Sequence, residues 1–272
     1  MGSGRGGGGG KIDDLVTWLT DPEHWSGPDG VPARLAEHLV YTVITIGIAL
    51  VIAVPLGAWV GHTGRARWLV TWANALRAVP SLGLLFAISM LVGPLIQSDL
   101  AFTIPSIIVL VLLAIPPLLS GTYAGVESVD PAARDAARGM GMRGTQVLTQ
   151  VELPIAMPLF LSGLRSATLQ VIATATIAAS ISLGGLGRYL IDGLAARDLP
   201  QMVAGSVLVA VLALVADGLL ALLQRYAVSP GISGRSTHVG PTDPGRLDLS
   251  RAGTGTGLGP PGNRSEPDHQ PA

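Results

Sequence analysis

The stretch DPAARDAARGMGMRGTQVLTQVELP, residues 130–154, is the longest charge-bearing interruption between segments otherwise apolar enough to cross a membrane. Asp130 before Pro131 marks a helix start. The carboxylate can accept from orphan backbone N–H groups, and proline has no N–H to lose in a first turn. Ala132 to Met140 then supplies strong helix formers. Gly139, Gly141 and Gly144 break that helix and admit positive φ, while Thr145 caps a second helix that ends before Pro154. The spacing predicts a helix, a glycine turn and a second short helix, folded as a compact hairpin on the surface.

Outward from this hairpin the chain is made for lipid. Of its 272 residues 49% are hydrophobic and 13% charged, with a mean hydropathy of +0.51, against about 25% charged in ordinary soluble domains. Five apolar segments, Leu39 to Val60, Trp68 to Val92, Ala101 to Val126, Ile155 to Leu183 and Met202 to Leu223, each approach or exceed the roughly 20 residues that span a bilayer. The expected fold is therefore all-α and integral to the membrane, with about five transmembrane helices. Arg65 and Arg67 follow the first segment, the next connection has no Lys or Arg, and Arg134, Arg138 and Arg143 lie in the hairpin. That alternation puts the hairpin and C-terminus inside and the N-terminus outside, although Arg188 and Arg197 count against it.

Composition also removes several functions. A net charge of −1 makes no case for nucleic acid, and the absence of cysteine excludes disulfides and thiolate chemistry. Lys11 is the only lysine. Gly10-Lys11 superficially suggests a phosphate-binding loop, but Arg5 stands where its first Gly belongs and Ile12 replaces the Ser or Thr. The five histidines, His24, His38, His62, His238 and His269, are scattered and make no metal or catalytic motif. No cofactor or metal is expected. His38 and His62 are expected at the two ends of the first span, as interfacial residues.

Within the hairpin, Asp135-Ala136-Ala137, three residues, Gly141, nine residues, and Val151-Glu152-Leu153-Pro154 resemble the signature loop of permease subunits of bacterial ABC importers. That family's pattern is Glu-Ala-Ala, three residues, Gly, nine residues, Ile, one residue, Leu-Pro. Both gaps hold; Asp135 replaces Glu and Val151 replaces Ile. The resemblance implies a type I importer permease fold whose cytoplasmic coupling helix docks on a separate ATPase, through Asp135, Ala136, Ala137, Gly141, Val151, Leu153 and Pro154. A DNA-binding helix-turn-helix shares the Ala137–Gly141 spacing. Its recognition helix, Gln146 to Leu153, would carry no Lys or Arg and one Glu, and would repel phosphate.

Further landmarks are similar to importer permeases for quaternary-amine osmoprotectants: Glu37-His38-Leu39 leading to Pro55-Leu56-Gly57, the run Asn74 to Leu82, Gly139-Met140-Gly141-Met142, and Gly184-Gly185-Leu186-Gly187. What that implies is uptake of glycine betaine, choline, carnitine or a similar solute by a multi-pass protein of the cytoplasmic membrane. Its partners would be two ATPase subunits, a second permease (identical or a sister), an external substrate-binding protein and membrane lipid. The alternatives are an importer for another solute such as an amino acid and, in a different class, a channel or ion-coupled transporter, which would want paired intramembrane charges or helices broken at the midplane.

Arg77, Arg165 and Asp217 fall inside apolar segments, where charge is costly and marks function or packing; both arginines can instead snorkel to the interface. Pro80 is expected to kink the second span and free the carbonyl of Leu76. The fourth span is small and hydroxylated, so Thr168, Gln170, Thr174, Thr176, Ser180 and Ser182 are candidates to line a pathway, with close helix packing as the other explanation. Gly184 to Gly187 would be a flexible outer turn able to open and close. Ile12, Leu15, Val16 and Leu19, beside Trp18, make an amphipathic helix that lies in the membrane interface or packs on the protein's own face. The expected organisation is 1–36, an N-terminal tract and helix outside; 37–228, the permease domain; and 229–272, a disordered cytoplasmic tail.

Overall fold

The computed structural model describes residues 9–227, and every element among them is helical. Helix α1 (Gly9–Thr20) precedes a 33-residue α2 (Val31–Thr63). Helices α3 (Trp68–Ala75) and α4 (Ser81–Val92) form a broken pair, followed by α5 (Thr103–Glu127). The hairpin is α6 (Pro131–Gly139) and α7 (Gly144–Val147), and α8 (Leu153–Ala178), α9 (Gly187–Ala196) and α10 (Leu199–Ala227) complete the bundle. The boundary expected at residue 36 falls within α2. The tail expected from Ser229 lies outside the described residues.

Helix α5 is the centre: fourteen of its 25 residues are buried, against three of 29 in the peripheral α10. Glycine makes this close packing possible. A Cβ on Gly57 would sit 2.8 Å from that of Thr122, and one on Gly61 2.8 Å from that of Val126, so α2 and α5 run parallel. A Cβ on Gly121 would lie 2.8 Å from the carbonyl oxygen of Leu159, and one on Gly163 2.6 Å from that of Pro117, so α8 runs antiparallel to α5. Lipid tails offer no hydrophobic drive to pair helices, and close approach of backbones supplies van der Waals contact instead.

The parallel register of α2 and α5 fixes the number of crossings. Both run toward the hairpin, so the chain between them must return across the bundle, and α3 with α4 makes that return. Val70 packs in one cluster with Leu118 and Leu119, while Leu85 packs with Val109, Leu110 and Leu113. Together they run antiparallel to α5. The described residues then cross the bundle five times, with α10 antiparallel to α8: Leu212 packs with Ile172, Asp217 meets Arg165, and the Gln224 amide donates to the Pro158 carbonyl at 3.1 Å.

The second span corrects an expectation. It is not one kinked helix but two pieces bent by 97°. Val79 is held extended at φ −74°, ψ 127°, as a residue before proline must be, and Pro80 opens α4 rather than interrupting it. The carbonyl of Leu76 is not freed, since it accepts from the Val79 N–H at 3.1 Å.

At the end of the bundle far from the hairpin, two further expectations give way. His38 is fully buried, with Nε2 3.2 Å from the Ile172 carbonyl oxygen, so it ties α2 to α8 instead of sitting at an interface. The turn at Gly184 to Gly187 is packed rather than loose. The Gly185 N–H donates to Glu37 at 2.8 Å, Glu37 is itself held by Arg34, and Leu186 is buried. Helix α1 packs on the protein: Trp18 is 7% exposed, clusters with Ile172, Leu186, Tyr189 and Leu212, and stacks on His24 at 4.1 Å.

Candidate functional site

The hairpin is built from local chemistry. The Asp130 carboxylate accepts from the Ala132 N–H at 2.8 Å, capping α6. At its other end the Gly141 N–H bonds to the Arg138 carbonyl (2.9 Å) and the Met142 N–H to that of Ala137 (3.2 Å), the paired bonds of a Schellman turn. Gly141 takes φ +88° there, a conformation that costs any residue with a Cβ. Positive φ in this stretch is confined to Gly141; Gly139 and Gly144 are helical. Thr145 is not the second cap. Arg143 holds that position, its N–H bonded to Gln146 Oε1 at 2.8 Å.

The second helix does not stop before Pro154. It passes through a π-helical turn, Leu148–Glu152, and continues as α8 into the membrane. The wider turn lets the Leu153 N–H reach the Leu148 carbonyl five residues back, and the missing N–H of Pro154 falls in the first turn that follows, where proline is tolerated. Helix α8 is thus a continuous extension of the hairpin.

A buried carboxylate pins the hairpin to the bundle. Glu152, in the π turn, is fully buried. Arg134 of α6 places Nε 2.9 Å from its Oε1, and His62 near the end of α2 places Nδ1 2.7 Å from its Oε2. A carboxylate only accepts, so the His62 Nδ1 carries the proton. Arg134 also donates to the Val126 carbonyl at the end of α5. One ion-pair network therefore joins α2, α5, α6 and α8. Sequence reasoning missed it: Glu152 occupies the unspecified position of the motif, and its histidine partner is 90 residues away.

The motif residues divide between two faces. Ala137 is buried, Val151 and Leu153 are half-buried, and Asp135, Ala136, Gly141 and Pro154 are exposed. Asp135 lies 3.6 Å from Arg138 on the surface, and Met140 projects with 73% of its surface exposed. The result is a knob of small residues around one methionine, anchored to three spanning helices.

A family model for the "binding-protein-dependent transport system inner membrane component" matches residues 42–229, most of the described bundle and all of the hairpin. The chain belongs to that family. This permease is 34% identical over 200 residues to the osmoprotectant import permease protein OsmW of Salmonella typhimurium, covering 72% of this chain and 91% of the relative. It is 30% identical over 202 residues to the glycine betaine/carnitine/choline transport system permease protein OpuCB of Bacillus subtilis, covering 74% and 90%. Its fold is similar to a chain of the inward-facing MetNI methionine ABC transporter, with a TM-score of 0.66 at 19% identity over 77% of this chain and 100% of that one. It is a transport subunit of the inner membrane, and the binding-protein-dependent class works with a substrate-binding protein and an ATPase.

The candidate pathway residues of this permease are not brought together. Thr168 and Thr176 turn their hydroxyls back onto the Leu164 and Ile172 carbonyls of their own helix, Thr174 is buried in packing, and Gln170 is half-buried. Ser180 and Ser182 share a cavity of about 580 Å³ with Phe86, Met90 and Phe102 at the far end. Of the intramembrane charges, Arg165 and Asp217 pair through two hydrogen bonds, the partner for Asp217 that sequence alone did not identify. Arg77 is exposed at the break between α3 and α4.

Proposed function

We propose that this permease carries quaternary-ammonium osmoprotectants of the glycine betaine, carnitine and choline class inward, powered by ATPase subunits that grip the hairpin. The observation that carries the mechanism is the hairpin itself: an exposed knob of Asp135, Ala136, Met140 and Gly141, backed by a buried ion-pair network that links it to α2, α5 and α8. A partner that seizes this knob moves the spanning helices with it. Two permease chains would face each other and two ATPases would draw their hairpins together, turning the spans outward.

The substrate class is supported by relatives named for osmoprotectant, glycine betaine, carnitine and choline transport, matched over about nine-tenths of their length. The likeness to methionine and other amino acid transporters is at 19% identity and speaks for the fold alone. The orientation we infer places the hairpin in the cytoplasm and the N-terminus outside. In support, Arg67 and the hairpin arginines gather at one end of the bundle, where Arg67 meets Glu127 at 2.9 Å and Arg225 closes the last turn of α10. Ser180 and Ser182 would then line the outer end of the path, next to the clamped turn at Gly185. Uptake of a panel of labelled solutes, in a host stripped of its own osmoprotectant importers, tests this reading. Glycine betaine, carnitine or choline should enter only when permease, ATPase and binding protein are all present; uptake of an amino acid instead would refute it.

A further inference from the structure

Arg77 stands at the head of a polar track that enters the bundle from the hairpin end. From the N-cap of α3 to the turn beyond it, Arg67, Asn74 and Arg77 are spaced to share one face, while the exposed Trp68 and Trp72 lie on another. On α5, Ser120, Tyr123 and Glu127 recur at helical spacing. The two stripes meet twice: Arg67 pairs with Glu127 at 2.9 Å, and the Ser120 hydroxyl donates to the Asn74 side-chain oxygen at 3.1 Å. Ser120 is about 10 Å along α5 from Glu127, at 1.5 Å per residue. Leu85, beyond the break, packs level with Val109 to Leu113. Arg77 therefore lies between these levels, near the middle of α5.

At that depth the chain bends by 97°, and α4 begins with no side chain capping its first N–H groups. Arg77 is exposed, and no carboxylate among the described residues pairs with it. Among its described residues, a second copy of this chain has none to lend at that level. Glu37 is bound to Arg34 and the Gly185 N–H, Glu127 to Arg67, Glu152 to Arg134 and His62, and Asp217 to Arg165. A charge at mid-membrane without a partner is costly, so its counter-ion comes from the solution.

We propose that Arg77, with the open N-terminus of α4, receives the carboxylate of a passing zwitterionic solute, so that the permease favours trimethylammonium carboxylates such as glycine betaine and carnitine over choline, which has no carboxylate. This deepens the proposed function and rests on it. Arg77 holds the solute at the break while its cationic end meets the uncharged remainder of the path, and the guanidinium supplies the charge-assisted, two-pronged contact that a carboxylate fits.

The test uses the complete importer in proteoliposomes, with R77Q and R77K beside the unaltered protein. For R77Q, glycine betaine uptake should fall about tenfold, the loss of one charge-assisted contact. Choline uptake and binding-protein-stimulated ATP hydrolysis should stay within about twofold. R77K, which keeps the charge but not the fork, should retain more betaine uptake than R77Q. Equal loss of betaine and choline uptake would make Arg77 a structural residue, and no loss of either would make it a lipid-facing one; each result overturns the proposal. Unaltered protein that carries choline but neither carboxylate overturns it too, leaving the substrate class standing. Failure of the unaltered importer to carry any of the three refutes the substrate class, and this proposal with it.

Discussion

Removing the Glu152 carboxylate by Glu152→Ala is expected to disconnect the hairpin from the helices it moves. Glu152 is fully buried between Arg134 at 2.9 Å and His62 at 2.7 Å. Breaking a fully buried ion pair costs about 3–5 kcal/mol, because the surviving charge is stranded. Here the survivor is less isolated: the Arg134 side chain is 19% exposed and keeps its bond to the Val126 carbonyl. The expected loss is nearer that of one charge-assisted hydrogen bond, to His62, and one partly screened ion pair, to Arg134, about 2–3 kcal/mol. Concentrated on docking of α6, that shifts the equilibrium between seated and loose hairpin by about 30- to 150-fold, while the glycine-packed core of α2, α5 and α8 is untouched. Hydrogen exchange of the α6 amides in the detergent-purified importer should accelerate by a comparable factor, and solute moved per ATP hydrolysed should drop while hydrolysis persists. The double variant Arg134→Met with Glu152→Leu removes both charges and should recover much of the exchange protection. Unchanged α6 exchange and unchanged coupling in Glu152→Ala would show that the network is not the anchor.

Three other outcomes are expected. Gly141→Asp places a Cβ and a charge where φ is +88°; nothing among the described residues lies within 4 Å of that Cβ, so the protein should still insert, with about 1–2 kcal/mol of local strain. Uptake should fall sharply through disturbed ATPase docking, and normal uptake by an assembled Gly141→Asp importer would contradict this. Single cysteines at Ser98 and Ser250, introduced into a chain that has none, should react differently with an impermeant thiol reagent in intact cells. Ser98 should label and Ser250 should not, and the reverse would invert the orientation. Asp217→Asn should lower the yield of membrane-inserted protein by leaving Arg165 without its carboxylate, and the exchange of the two, Arg165→Asp with Asp217→Arg, should restore part of it. Wild-type yield from Asp217→Asn alone would mean that the pair contributes nothing to assembly.

What the amino-acid sequence determined by itself was local. Apolar run lengths, the Asp130-Pro131 start and the glycine at 141 specify spanning helices and a hairpin, because caps and turns are made by residues within a few positions of one another. The same locality explains the misses inside the hairpin: helix continuation through Pro154 depends on a π turn that no residue type announces. Everything that joins distant segments was left to the tertiary structure. Glu152 meets His62 across 90 residues and Arg165 meets Asp217 across 52, and the parallel run of α2 and α5, which forces the broken α3–α4 pair to cross, follows from where Gly57 and Gly61 touch α5. Sequence cannot rank these pairings because lipid tails are as apolar as leucine. Leu118, fully buried in the core, and Leu214, 71% exposed, read alike until backbones close in at Gly121 and Gly163 and one of them is enclosed.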